Sequence, residues 1–289
     1  MPDPAPRKEA KTVSEIGTVT LLRRYPVKSM LGEEVSASDV TWTGLSRDRG
    51  LALVHGRTGK VVSAKNPRLW RDALTLSAAA VDSGVRITGP DGKVAWSTDA
   101  GIDEILSERL GQPVALTDTP PPGATLERAE PEEVLRSGVE AQVPLAMSRV
   151  GTASPPGTFF DYAPVHLLTT STLDRIAALS PRGTAEAERY RPNIVVRTPA
   201  TGFVENDWAG RTLLIGDELA LRVLVCTPRC AVPTLAHGGL SRDSSALRVL
   251  AEHNRVVPLE ALGPQPCAGV YAQVLHPGRI ELGDRVRTG

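Results

Sequence analysis

The chain of 289 residues is poor in cysteine, with only three thiols, at Cys226, Cys230 and Cys267. An odd and small number of cysteines argues against a disulfide framework and favours a reducing compartment, so we expect a cytoplasmic protein. The count also excludes an iron–sulfur cluster ligated by this chain alone through cysteine, because such a cluster needs four thiolates.

The sequence also lacks an excess of charge and a long apolar run. Lysine plus arginine and aspartate plus glutamate each number 33, which gives a net charge of zero. No overall field therefore favours nucleic acid or an anionic membrane surface. No stretch approaches about 18 consecutive apolar residues, the length that predicts a membrane span. We expect neither nucleic acid nor a membrane as a partner.

Lysine is rare, so a lysine inside a motif stands out. The six lysines are Lys8, Lys11, Lys28, Lys60, Lys65 and Lys93. The first dozen residues are charged and rich in proline, without the apolar core of a signal peptide, and we expect residues 1–14 to form a disordered tail.

The remaining pattern predicts two folded blocks joined by an irregular segment. The blocks are residues 15–117 and 165–289, and the segment is 118–164. Short strand-like runs separated by glycine-rich turns dominate both blocks, which indicates a strand-rich α/β (α+β) protein with a β-barrel in its second half. A helix is predicted over residues 102–110, ended by Gly111. Another begins near Ser171, where Ser-Thr-Leu-Asp matches a capping box.

Cys230 is the most informative residue. It follows an alternating run, residues 218–225, that reads as a strand, and Pro228 ends that strand. Arg229 places a fixed positive charge beside the sulfur, which favours a thiolate able to ligate a soft metal or to attack an electrophile. The alternative is a buried structural cysteine, the commoner fate of a free thiol.

Motifs from both blocks resemble one family. The second block resembles the MOSC domain, the molybdenum-cofactor sulfurase C-terminal type, on the evidence of Arg191-Pro192-Asn193, Phe203–Trp208, Leu214-Ile215-Gly216, Arg229-Cys230, Gly269-Val270-Tyr271 and Pro277–Asp284. The first block resembles the N-terminal β-barrel-like domain that accompanies it, on the evidence of Tyr25–Ser29, Gly44-Leu45, Asp48-Arg49, Thr58-Gly59-Lys60 and Asn66–Leu69.

Because both blocks are present without an aminotransferase-like domain, the chain is most similar to the amidoxime-reducing component family. The resemblance implies a molybdenum cofactor (Mo-molybdopterin) and reduction of small N-hydroxylated or N-oxygenated substrates by oxygen-atom transfer, with two electrons and two protons releasing water. Pyridoxal phosphate binding is associated with this domain type in general, and the resemblance assigns no residue of this chain to it. No nicotinamide or flavin fingerprint is present, so the electrons are expected from a separate flavoprotein or ferredoxin-type donor.

The resemblance also assigns residues to roles. Cys230 would be the catalytic residue and the metal ligand, since a thiolate suits a soft metal. A pterin phosphate needs fixed cations and donors, which an arginine fork or a lysine supplies. The matching cofactor-binding positions are Lys28, Ser29, Arg49, Thr169, Arg191, Asn193, Pro228, Arg229 and Tyr271.

One loop departs from the family pattern. After the cysteine, relatives often have an Asp-Pro and a Thr-Gly, whereas this chain has Leu235-Ala236-His237-Gly238-Gly239. We expect this loop to border the substrate mouth, so the resemblance leaves the substrate preference of this chain open.

Other classes of function use the same cysteine. As a sulfur carrier, Cys230 would hold a persulfide for metal–sulfur cluster assembly, and such a carrier has no need for cations from both blocks to converge on one pterin. Cys226, Cys230, Cys267 and His237 form a zinc-ligand set only with poor spacing. A cysteine hydrolase is less favoured, because neither His237 nor His253 falls in a triad pattern. We interpret Cys226 and Cys267 as structural.

Overall fold

The computed structural model describes residues 14–289. Its strands are β1 (Ser14–Arg24), β2 (Glu33–Glu34), β3 (Ala37–Thr41), β4 (Gly44–Leu45), β5 (Ala52–His55), β6 (Ser77–Val81), β7 (Gly84–Thr88), β8 (Val94–Trp96), β9 (Val114–Thr117), β10 (Thr125–Ala129), β11 (Leu145–Arg149), β12 (Val165–Thr169), β13 (Ile194–Arg197), β14 (Thr212–Ile215), β15 (Leu219–Pro228), β16 (Arg255–Val256), β17 (Gln265–His276), β18 (Gly278–Glu281) and β19 (Arg285–Thr288).

Its helices are α1 (Pro67–Trp70), α2 (Ile102–Leu110), α3 (Pro131–Ser137), α4 (Thr170–Leu179), α5 (Ala187–Tyr190) and α6 (Ser245–His253), with 3-10 turns at Arg71–Thr75, Val204–Trp208, Val232–Thr234 and Glu260–Leu262. The predicted tail, except for Ser14, lies outside the described residues.

A closed barrel of seven strands forms the second half of the molecule. The strand order is β12-β13-β1-β19-β14-β15-β17, and β17 pairs with β12 to close the circle. Apolar residues alternate into the interior, as at Leu219, Leu221 and Val223 on β15, all fully buried. The predicted strand-rich fold with a barrel is confirmed.

Strand β1 belongs to this barrel although it precedes the first block. It pairs with β13 through Thr18 and Arg197, and with β19 through Gly17 and Val286. A Cβ at Gly17 would lie 2.1 Å from the carbonyl oxygen of Arg197, so glycine permits this close approach. The sequence groups residues 15–24 with the first block, but their pairing places them in the barrel.

The first block holds two small sheets, β5-β9 and β6-β7-β8, and its own core. A third small sheet, β18-β3-β4, joins the first block to the second, and its buried residues Val40, Leu45 and Ile280 pack in the barrel core. Helix α2 begins at Ile102 and ends at Leu110, as predicted, with Gly111 in the left-handed conformation that ends a helix. Val61 makes an isolated bridge with Val54 of β5.

The segment 118–164 is more regular than the sequence suggests. Strands β10 and β11 form an antiparallel hairpin, and α3 lies between them. Phe159 and Phe160 are buried near its end. The expectation of an irregular connection is therefore wrong for 125–149, where prolines and charged residues obscure the alternation.

Candidate active site

A cleft of about 640 Å³ lies where the two blocks meet. It is lined by Lys28, Ser29, Arg49, Ser63, Ala64, Lys65, Leu74, Asp161, His166, Tyr190, Arg191, Pro228, Arg229, Cys230, Val232 and Tyr271. Eight of the ten residues that the sequence assigns to the site are among them, while Thr169 and Asn193 are not. Strand β1 explains the convergence, because the chain leaves the barrel at Arg24 and passes Lys28 and Ser29 directly into the cleft.

Backbone strain is concentrated at this cleft. Among the described residues other than glycine, four have a positive φ: Ser29 at 66°, Arg47 at 64°, Arg49 at 50° and Arg191 at 55°. All but Arg47 line the cleft. Such conformations cost energy and cluster at functional sites, where the surrounding structure holds them.

Of the three cysteines, Cys230 alone lines the cleft. It follows the last residue of β15, Pro228, and packs against the apolar side chains of Ala64, Leu74, Val232 and Leu235. One wall of the cleft beside the thiol is therefore apolar.

Cys226 and Cys267 lie instead in the core of the barrel. Burial raises the pKa of Cys226 to about 11 and that of Cys267 to about 12. Both thiols are therefore protonated at neutral pH, which fits their structural interpretation.

Arg191 is a half-buried cation with a buried, unpaired donor. Its guanidinium lies 4.2 Å above the ring of Tyr25, and burial lowers the pKa of Arg191 to about 10. Within residues 14–289, no group accepts a hydrogen bond from its Nη1 atom. A buried donor without an acceptor is costly, so this atom is suited to an anionic ligand.

Arg229, whose guanidinium lies 5.6 Å from the centre of the Tyr190 ring, has the same feature. Its Nη2 donates to the carbonyl oxygen of Tyr190 at 2.8 Å, and its backbone amide donates to Pro266 at 2.8 Å. Its Nε has no acceptor in the described part of the chain. The two arginines thus hold unpaired buried donors in the same cleft.

Arg49 is held from behind the cleft by Asp48 and Asn193. The guanidinium pairs with Asp48, and the amide of Asn193 donates to the same carboxylate at 3.0 Å. Asn193 Oδ1 also accepts from the backbone amide of His166 at 3.1 Å. Asn193 therefore orients residues of the cleft without lining it.

Lys28 and Lys65 flank a single carboxylate, Asp161. Lys28 Nζ donates to Asp161 at 2.5 Å and to the carbonyl of Phe159 at 2.7 Å, and Lys65 lies 3.2 Å from the other carboxylate oxygen. Burial lowers the pKa of Lys28 to about 8, against the attraction of Asp161. Burial alone would raise the pKa of Asp161, but Lys28 and Lys65 hold it well below its usual value. The pair is thus charged at neutral pH.

Charge in the cleft is strongly unbalanced. Its ionised lining residues are the cations Lys28, Arg49, Lys65, Arg191 and Arg229 and the carboxylate Asp161. His166 adds no charge, because burial, with Arg229 nearby, lowers its pKa to about 3. Its ring lies 5.5 Å from that of Tyr271 and closes the floor of the cleft. The cleft is therefore built for an anion.

Sequence reasoning did not single out Asp161, His166, Lys65 or Tyr190 as site residues. Lys65 carried a signal, as one of six lysines next to a family motif, and His166 stands inside the apolar run that forms β12. Asp161 has no such signal, because it lies within the segment 118–164, where the pattern predicts an irregular connection.

Thr169 is a helix cap and does not reach the cleft. Its hydroxyl accepts a hydrogen bond from the backbone amide of Thr172 at 3.1 Å, which makes Thr169 the N-cap of α4. The capping-box pattern, which predicts Ser171 as the cap, is wrong at this position. The same hydroxyl donates to the buried carboxylate of Glu205 at 2.6 Å. The family-based assignment of a cofactor contact gains no support at this position.

We expect Thr169→Val to lower stability without changing the cleft. Loss of a helix cap and of one donor to a buried carboxylate should lower the free energy of unfolding by about 1–2 kcal/mol. Urea unfolding measures the change, and Thr201→Val, at an exposed position, is the control. Unchanged unfolding together with loss of a bound cofactor would contradict the structural role.

Two further absences hold within residues 14–289. No three histidine, cysteine, aspartate or glutamate side chains come together as a metal-binding group, so the zinc alternative gains no support. No described helix has both the length and the apolar character needed to cross a membrane.

Both halves of the sequence match known domain families. Residues 155–287 match the MOSC domain, and residues 16–104 match the MOSC N-terminal beta barrel domain. The chain therefore contains both domains, with the MOSC N-terminal beta barrel domain first.

Curated proteins with similar sequences align with nearly the whole chain, both domains included. The mitochondrial amidoxime-reducing component 1 of Mus musculus is 28% identical over 97% of this chain and 84% of its own length. The protein of the same name from Homo sapiens is 27% identical over 97% of this chain and 86% of its length. The solved structure of the YUAD protein from Bacillus subtilis covers 96% of both chains at 10% identity and a TM-score of 0.44.

Proposed function

We propose that this protein is a molybdenum-cofactor-dependent reductase of N-hydroxylated or N-oxygenated compounds. Its similarity to amidoxime-reducing components over nearly the whole chain supports a reductase of this class. The observation that carries the proposal is one cleft that holds the Cys230 thiol together with the unpaired donors of Arg191 and Arg229. A thiolate is a suitable ligand for a soft metal, and charged hydrogen-bond donors are suited to a phosphate.

The chemistry of these residues fits the cofactor. Cys230 would ligate the metal through its sulfur. Arg191, Arg229, Lys28 and Arg49 would bind the pterin phosphate, with backbone groups around Ser29 and Pro228 as further contacts. Asp48 and Asn193 would keep Arg49 in place.

The reduction of an N-hydroxyl group to N–H requires two electrons and two protons and releases water. When bound, the cofactor supplies the oxygen-atom transfer chemistry. The protein binds and orients the substrate, and the apolar wall of Ala64, Leu74 and Val232 beside Cys230 would exclude bulk water from the reacting group. Neutral His166, inside the cleft, adds no positive charge to the floor.

The sulfur-carrier alternative explains fewer of the observations. It accounts for a thiol at Cys230 that lines the cleft, but it gives no reason for five cations to converge on the same cleft. Elemental analysis and pterin detection separate the two functions, when the protein is made in a host that synthesises the cofactor. Stoichiometric molybdenum and pterin support the reductase, whereas a persulfide on Cys230 without either supports the carrier.

Electrons should come from a second protein, which we propose is a flavoprotein or a ferredoxin. We expect no turnover with NADH or NADPH alone, because the sequence has neither a dinucleotide fingerprint nor cysteines for a cluster. Reduced viologen or an added redox protein should restore amidoxime reduction. Steady turnover with a nicotinamide donor alone would contradict the need for a partner.

Cytoplasmic localisation stays a prediction from cysteine content.

A further inference from the structure

Arg189 is a fully buried cation outside the cleft. Its side chain is 1% exposed, and it lies two residues before Arg191 at the end of the short helix α5. Burying a guanidinium is expensive unless its donors are satisfied. The groups that satisfy these donors therefore show what the residue is for.

Most of its partners are backbone carbonyls of one loop. We call residues 231–243, which follow Cys230, the cysteine loop. Arg189 Nη1 donates to the carbonyl oxygens of Pro233 at 3.4 Å and Leu235 at 3.2 Å, and Nη2 donates to that of Ser241 at 2.8 Å. The planar fork of a single arginine thus joins two distant parts of the loop.

The Nε donor of Arg189 connects the residue indirectly, through other side chains, to the last residue of the cysteine loop. Its Nε donates to Glu186 at 2.7 Å, and Glu186 also accepts from Arg182 at 3.0 Å. Arg182 in turn donates to Asp243, the last residue of the cysteine loop, at 2.9 Å. A chain of ion pairs therefore runs from Arg189 back to the loop.

The cysteine loop contributes to the wall of the cleft beside Cys230. Among its residues, Val232 lines the cleft, and Leu235 packs with Val232 and Cys230 in one apolar cluster. The amide of Gly238 donates to the carbonyl of Leu74 at 3.3 Å, and Leu74 belongs to the first block and also lines the cleft. The loop thus connects the two blocks beside the candidate catalytic thiol.

We propose that Arg189 is a positioning residue that fixes the cysteine loop as a rigid wall and thereby sets the size of substrate that the cleft admits. Since its loop contacts are all to carbonyl oxygens, it holds the backbone whatever side chains the loop carries. The segment Leu235–Gly239, which departs from the family pattern, is then free to define selectivity on a fixed frame. The selectivity part of this inference rests on the proposed function.

The first test measures the loop directly. Arg189→Met and Arg189→Lys remove the fork, and Arg175→Met, at an exposed position on α4, is the control. Hydrogen–deuterium exchange of the loop amides, such as those of His237 and Asp243, which are bonded within the loop, should accelerate in both Arg189 variants. Amides of β15 and β17 should exchange as in the wild type. Wild-type exchange in the loop would overturn the inference, and Arg189→Lys decides it if Arg189→Met does not fold.

The second test measures selectivity. The ratio of kcat/KM for an amidoxime with a bulky aryl group to kcat/KM for benzamidoxime should rise about 10-fold in Arg189→Lys, since small differences in pocket fit change such ratios by this order. An unchanged ratio with accelerated loop exchange would overturn the selectivity role. If the wild type reduces no amidoxime, the proposed function fails, and the exchange experiment still decides whether Arg189 fixes the loop.

Discussion

Replacing Cys230 by alanine is expected to reduce amidoxime reduction to background while leaving the fold intact. Its thiol is the one cysteine side chain that lines the cleft, and we propose it as the protein's ligand to the metal. Neither of the other two cysteines can replace it as a thiolate ligand, because Cys226 and Cys267 lie in the barrel core and their thiols stay protonated at neutral pH.

The matched controls are Cys226→Ala and Cys267→Ala. Each should retain activity and lose about 1–2 kcal/mol of stability through a small packing defect. Activity with reduced viologen, molybdenum content and thermal unfolding together separate the cases. Equal loss of activity in all three folded variants would refute the assignment of Cys230 as the sole ligand.

The neighbourhood of Cys230 could be predicted because its determinants are local. An alternating strand, the ring of Pro228 and the charge of Arg229 are adjacent in sequence, and the structure ends β15 at Pro228. The same holds for α2, where the 3.6-residue pattern and Gly111 define both ends.

The rest of the site depends on contacts distant in sequence. Asp161 gains its role only because Lys28 and Lys65, about a hundred residues or more away, meet it in the folded cleft. His166 belongs to an apolar strand and becomes part of the floor through the rings and carbonyls around it. No periodicity in the chain records such pairings.

Thr169 is the converse case, in which the family resemblance suggests a cofactor contact at a position that the structure uses as a helix cap. Threonine suits both roles, and its hydrogen bond to Glu205, which could not be predicted from the sequence, fixes its hydroxyl away from the cleft lining. Strand β1 likewise could not be assigned to the barrel from sequence, because its partners β13 and β19 lie at the other end of the chain.

Removing the two cations Arg191 and Lys28 together is expected to yield a folded protein that is largely free of cofactor. One comes from each block and both line the cleft, where Lys28 is buried and Arg191 is half-buried, and the buried Nη1 of Arg191 has no acceptor among the described residues. Charge-assisted hydrogen bonds contribute on the order of 1.5–3 kcal/mol each, so each single alanine variant should weaken cofactor binding by about 10- to 100-fold.

Molybdenum and pterin content of the purified variants measures this loss, with Arg175→Ala as the control for removal of an exposed charge. Thermal unfolding of the variants should stay cooperative. Desolvation of the Arg191 guanidinium is unfavourable when no anion is bound, so replacing it by alanine removes that cost. Lys28→Ala leaves Asp161 with Lys65 as its partner, so the carboxylate is not stranded. Full molybdenum and pterin occupancy in the double variant would mean that these cations do not bind the phosphate, and the anion site would then have to be sought at Arg49 and Arg229.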